Sequence, residues 1–209
     1  MLVAQLSSQV LPKEASLSEG LTLLWQHPQI RAELKELFSL LSDRLNHLQS
    51  MTPGGDSIPL APHARYTRLE ILAACLPEDR ATAPVWQTGV RWLPESKIDL
   101  LAFTLDKTKG QFSPTTRYRD YAISRDLIHW ESQSITRSQS ETGVRYRNHS
   151  KQGSRVWLFA RESVSDRAFW FLGPAQYVSH EGEQPMAITW RLKQTLPGDL
   201  FQTFAAAVG

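Results

Sequence analysis

The sequence predicts an α+β protein: a helical N-terminal third, a mostly β remainder, and a short closing helix at the C-terminus. Three observations predict it. Apolar residues recur at helical spacing from Leu21 to Leu48. From about residue 89 the pattern changes to short, aromatic-rich runs divided by Gly, Pro, Ser or Asp, as in an antiparallel barrel or sandwich. The 209 residues are 41% hydrophobic and 21% charged, which is ordinary for a packed domain and too apolar for wholesale disorder.

Residues 1–15 show no periodicity and include Pro12, so they read as a loose lead-in. Ser16 and Ser18 can each cap a helix, and Glu19 completes a capping box with Ser16. Pro28 interrupts the pattern and splits it into helices at about 17–27 and 28–49. The run Thr52–Pro53–Gly54–Gly55–Asp56 is a stop and a linker. The expected division is therefore a helical segment over 1–56 and a β domain over 57–209. Within Arg65–Leu76 a short helix is expected, with Thr67 as its cap and Glu70 three residues on. Strands are expected at 89–93, 99–106, 155–161, 169–172, 176–180 and 186–192, with a hairpin over 177–190. Gly198–Val208 reads as an amphipathic helix. No repeat and no low-complexity tract is visible.

Several function classes lack their residues. No stretch approaches the ~18–20 consecutive apolar residues of a membrane span. The N-terminus has neither the basic region nor the apolar run of a signal peptide. A single cysteine, Cys75, lies in an apolar run, so no internal disulfide forms and an inert buried thiol is expected. A reducing, cytoplasmic setting fits. The six histidines form no i, i+4 pair, so no metal and no cofactor is expected. Walker, dinucleotide-glycine, nucleophile-elbow and HExxH signatures are missing. The chain is not expected to be an enzyme by itself.

The charge is unevenly spread. Residues 107–155 carry ten Lys or Arg against four Asp or Glu, a net +6, while the remainder carries 13 bases against 17 acids. Seven of the ten are arginine, which grips phosphate with a planar fork and stacks on rings. Within this segment Arg117 and Arg119 interleave with Tyr118, Tyr121 and Trp130. Ser113, Thr115 and Thr116 add hydroxyls. Arginines and hydroxyls on phosphates, with flat rings on bases, is the palette of nucleic-acid binding. Asp120 stands alone among these cations, either as a salt-bridge partner or as an acceptor for an exocyclic amine of a base. A second cluster, Arg65, Tyr66 and Arg68, brackets the start of the short helix. A third, with Arg145, Arg147 and His149, reads as a loop or edge strand on the basic face. Arg117, Arg119, Arg145 and Arg147 are expected on phosphates, Tyr118 or Tyr121 stacked on a base.

Five stretches carry a family resemblance: HARYTR at 63–68, FSPTTRYRDYAIS at 112–124, HWESQS at 129–134, LGPAQYVSHEG at 172–182 and MAITWRLKQTLPGDL at 186–200. Over about 58–209 the chain resembles the C-terminal domain, long labelled as of unknown function, of bacterial proteins that join a phospholipase-D-type nuclease to a superfamily II helicase. Some of those are modification-dependent restriction enzymes. The resemblance implies a β-barrel of SRA/PUA-like type that binds duplex DNA, including DNA with 5-methylcytosine, and flips a modified cytosine. It also implies helicase and nuclease domains as partners, in cis or in trans, and is compatible with a homodimer. The alternative from another class is a protein-interaction or regulatory domain that docks on a helicase motor without touching DNA.

Overall fold

The structure is a computed structural model and describes residues 2–7, 10–12, 14–42, 60–75, 84–105 and 120–205. They fall into two compact units, one of residues 1–61 and 66–86, the other of residues 62–65 and 87–209.

The first unit is helical. It comprises α1 (Leu2–Ser7), α2 (Leu17–Trp25), α3 (Pro28–Ser42) and α4 (Arg68–Cys75). Helix α1 was not expected in the lead-in; it packs on α2 and α4, and that tertiary contact supports a helix too short to stand alone. The cap chemistry appears as read. Ser16 Oγ accepts the Glu19 N–H at 3.3 Å, and Glu19 Oε2 accepts the Ser16 N–H at 2.8 Å. The same box recurs before α4, where Glu70 Oε2 accepts the Thr67 N–H at 2.6 Å and Thr67 Oγ1 the Glu70 N–H at 3.4 Å. Pro28 opens α3, where its missing N–H costs nothing. Helix α4 buries Ile71, Leu72, Ala73 and Cys75. The unit thus takes in α4, beyond the expected boundary at residue 56.

The second unit is built on an eight-stranded mixed sheet. Its strands are β1 (Arg65–Thr67), of which only Arg65 falls in this unit, β2 (Val90–Leu93), β3 (Ile98–Thr104), β4 (Tyr121–Ala122), β5 (Leu127–Glu131), β6 (Arg155–Arg161), β7 (Ala168–Glu181) and β8 (Ala187–Leu192). The order is β2-β3-β6-β7-β8-β5-β4, with β1 pairing β7 off this path. The expected closed barrel is corrected to an open sheet: β2 and β4 stand at its ends, and β4 has only two residues with which to pair further. Nor is the pairing wholly antiparallel, because β3 runs parallel to β6, Ile98 opposite Arg155 through Thr104 opposite Arg161. All seven β3 residues are buried, as fits a strand in a parallel pair covered on both faces.

Two expected strands merge into the fourteen-residue β7. Gly173 takes φ +100°, and the β6 register shifts between Leu158 and Phe159 beside it. That irregularity lets Pro174, which has no N–H to offer, sit within a strand. Two further helices complete the unit, α5 (Glu141–Asn148) and α6 (Gly198–Ala205). The core gathers on Trp190, which is fully buried, with Tyr146, Trp130 and Tyr177 rings at 6.2, 6.5 and 6.2 Å. Among the described residues no helix is long and apolar enough to cross a membrane.

Candidate nucleic-acid interface

Ser113, Thr115, Thr116, Arg117, Tyr118 and Arg119 lie outside the described residues. The segment that holds them is bounded by two well-anchored points. On one side Leu105 N–H donates to Arg161 O at 2.9 Å. On the other is Asp120, only 6% exposed, whose Oδ1 accepts the Glu131 N–H at 3.0 Å. The lone carboxylate is therefore turned inward and ties the start of β4 to the end of β5. In the described structure the carboxylate serves as a tether between these strands. Tyr121, next to it, is half-buried, with its ring stacked on His129 at 4.7 Å and 11°. Trp130 is 3% exposed and meets Tyr146 edge-on at 5.7 Å. It is a core residue, which removes it from the DNA-facing set.

The third cluster changes most. Its residues form α5, a helix, where a loop or edge strand was expected. Ser140 Oγ caps it by accepting the Gly143 N–H at 3.2 Å; Glu141 stands in the first turn, Arg145 and Arg147 in the last, each on the side its charge favours. Gly143 faces the Arg137 and Ser138 carbonyls so closely that a Cβ would run into both. Tyr146, three residues on, enters the core.

Arg145 is turned inward. Its Nε and Nη2 donate to Asp99 Oδ2 and Oδ1 at 2.8 and 3.0 Å, and its guanidinium lies 4.2 Å above Trp92. Burial pushes the Asp99 carboxyl above its ordinary value while Arg145 pulls it back down. A buried carboxylate of this kind demands a paired cation, and β3 supplies no other. Arg147 donates to the Ser138 carbonyl at 2.9 Å. Arg145 serves the fold as the counter-ion of Asp99, and Arg147 is tied to the turn that precedes α5.

His149 is buried. Its Nε2 accepts the Tyr177 N–H at 3.1 Å, and Nδ1 faces the Ser154 carbonyl at 3.4 Å. Tyr177 lies where β7 has run past the end of its pairing with β6 and shifts register against β8. The imidazole satisfies an amide the ladder leaves over. It must be neutral to do so, and burial lowers its pKa, with the Ser154 carbonyl opposing and the nearby Lys193 charge assisting. His149 is thus a structural acceptor for the Tyr177 amide.

The residues of the second cluster separate. Arg65 belongs to the sheet unit, 5.1 Å above the Trp170 ring and 3.5 Å from Asp166. Tyr66 and Arg68 belong to the helical unit. Tyr66 Oη accepts the Ala61 N–H at 2.8 Å, and Arg68 lies 5.3 Å over Trp86.

Among the described residues, Arg155 and Lys193 share a cleft of about 250 Å³ lined also by Ser150, Ser154 and Gln176, with His149 at its back. Among the described residues no carboxylate lines it. Lys193 is held there by its N–H to Pro174 O at 2.9 Å, and its exposed ammonium has no ion-pair partner among the described residues. Exposed Lys151 stands in the adjoining turn. Arg155 reaches Ser96 O at 3.1 Å. Sequence reasoning did not select Lys193 as a site residue. It lies just past the last strand, and only the β7–β8 pairing brings it to residues 150–155.

No curated protein matches the chain. Among solved structures it is similar to one described as the 5-hydroxymethylcytosine-specific restriction enzyme AbaSI, at 13% identity and a TM-score of 0.34, over 81% of this chain and 54% of that one. The chain thus spans about half the length of that neighbour. A family profile matches residues 60–204, which take in α4, the whole described sheet and nearly all of α6, and on that match the chain belongs to the family described as a domain of unknown function, DUF3427.

Proposed function

We propose that the chain is a non-catalytic DNA-recognition module that binds duplex DNA through its basic face. The observation that carries this reading is the cleft that joins Arg155, from the net +6 segment that also contains Arg117 and Arg119, to Lys193, with Lys151 beside it and no carboxylate among its described lining residues. Gathered cations attract a polyanion, and hydroxyl and amide groups among them suit phosphate oxygens. The resemblance to nuclease–helicase restriction proteins supplies the target class: an SRA/PUA-like module that takes a modified cytosine out of the stack. Tyr121, half-buried and backed by His129, is the ring assigned to stack on it. Nuclease and helicase domains act as its partners.

Lys193→Gln tests the reading. In a fluorescence-anisotropy titration the variant binds modified and plain duplexes more weakly by the same factor, and its log K against log salt is shallower by about 1. Binding indistinguishable from wild type removes the cleft from the interface.

A second reading, docking on a helicase motor, is favoured by the apolar surface of α2 and α3. Trp25 is 67% and Leu40 64% exposed, with Phe38 and Leu37 near half. Patches of this kind mark protein contacts. The two readings are compatible, since they use different units.

A further inference from the structure

The sheet unit holds a second cavity, of the opposite character. It has a volume of about 160 Å³ and is lined by His63, Glu162, Trp170, Asp199, Leu200 and Thr203. Its polar groups are disposed to accept hydrogen bonds. Glu162 and Asp199 are exposed carboxylates with no ion-pair partner among the described residues. Thr203 Oγ1 gives its proton to the Asp199 carbonyl at 3.2 Å, which leaves lone pairs facing outward. His63 Nε2 is buried and has no partner among the described residues.

The backbone holds His63 firmly in place. Its φ is +64°, a left-handed conformation that a non-glycine residue rarely adopts, and it is clamped by the chain beside it. His63 N–H donates to Phe171 O at 2.7 Å, and Phe171 N–H donates to Ala64 O at 2.9 Å. Trp170 forms a wall, with the Arg65 guanidinium over its ring and Asp166 balancing that charge.

We propose that this cavity binds an organic cation, an ammonium or guanidinium group, with Glu162 and Asp199 as counter-ions, Trp170 as the aromatic wall and His63 Nε2 accepting one N–H. Two carboxylates repel an anion, and a neutral apolar guest would leave every acceptor unpaired. A donor-only cation satisfies the set, and carboxylates grip guanidinium with paired, charge-assisted hydrogen bonds. The ring adds a cation–π attraction. Among the described residues no three His, Cys, Asp or Glu side chains converge closely enough to hold a metal ion, so the guest is organic. The cation is either a free amine or the Lys or Arg side chain of a partner. The proposal rests on these residues alone, independently of DNA binding.

The histidine gives the site a signature. Burial lowers the His63 pKa and Asp199 opposes it, so near neutral pH the ring presents a lone pair. Glu162, Asp199 and Thr203 are the polar groups that share the cavity with it, and Arg65 is the nearest fixed cation. Acidification through the His63 pKa places a positive charge inside the cavity and expels the guest.

The test titrates the full chain with methylguanidinium, with spermidine and with a short arginine-containing peptide, following the His63 ring resonances by NMR. Saturable shifts are expected. Glu162→Gln and Asp199→Asn, both at exposed positions that leave the fold intact, each weaken binding about tenfold, as loss of a charge-assisted hydrogen bond does. Acidification abolishes the shifts in wild type. Tighter binding of the peptide identifies a partner's side chain as the guest; tighter binding of the free amines identifies a small molecule. If none of the three probes gives a saturable shift, or if both variants bind as wild type does, the proposal is overturned.

Discussion

Arg145 shows how one residue's role follows from what it faces. From the sequence it is one base in a basic run; in the fold it is the counter-ion of Asp99, which is 2% exposed. Truncating it strands a buried carboxylate, so Arg145→Ala is expected to destabilise the protein by about 3–5 kcal/mol in denaturant titration. A variant that unfolds like wild type but loses DNA binding would return Arg145 to the interface. His149 makes a pH-dependent contribution. Its folded pKa is lowered, so the unfolded chain takes up the proton first. The stability its neutral ring contributes is present above about pH 6.5 and lost as pH falls through the folded value. His63 shifts in the same direction. Unfolding free energy should therefore fall as pH drops below about 6.5, and His149→Gln should flatten that fall. Equal slopes for both proteins would contradict the role given to His149. Neither role was legible in the sequence, because Asp99 is 46 residues from Arg145 and Tyr177 is 28 from His149.

At the scale of elements, local chemistry was legible and pairing was not. The capping boxes at Ser16 and Thr67 and the start of α3 at Pro28 could be read because their partners lie within three residues. Helix α5 carried the same kind of signal, Ser140 before Glu141 with Arg145 and Arg147 at the far end, but the basic and aromatic run around Tyr146 drew the reading toward a binding loop. Strands β4 and β5 were absorbed in the same way into the segment read for nucleic-acid chemistry. The merger of two strands into β7 was hidden by Gly173 and Pro174, which look like a turn and function as a bulge. Gly143→Ala tests the seating of α5. The added Cβ meets two backbone carbonyls that cannot rotate away, so the expected cost is about 1–3 kcal/mol. A neutral or stabilising effect, as replacing a helical glycine by alanine usually gives, would show that α5 does not sit on Arg137–Ser138.

On the scale of the whole molecule, the charge pattern is the link between fold and function. Inward arginines account for part of the +6 segment, while Arg155, joined by Lys193 from outside it, lines the cleft assigned to DNA. The most direct test is the salt dependence of duplex binding by the full chain. If four to six phosphates are neutralised, log K against log salt falls with a slope of roughly −4 to −5, from about −0.9 per phosphate. A slope near zero, or no binding at low salt, would contradict the assignment of this chain as a DNA-recognition module.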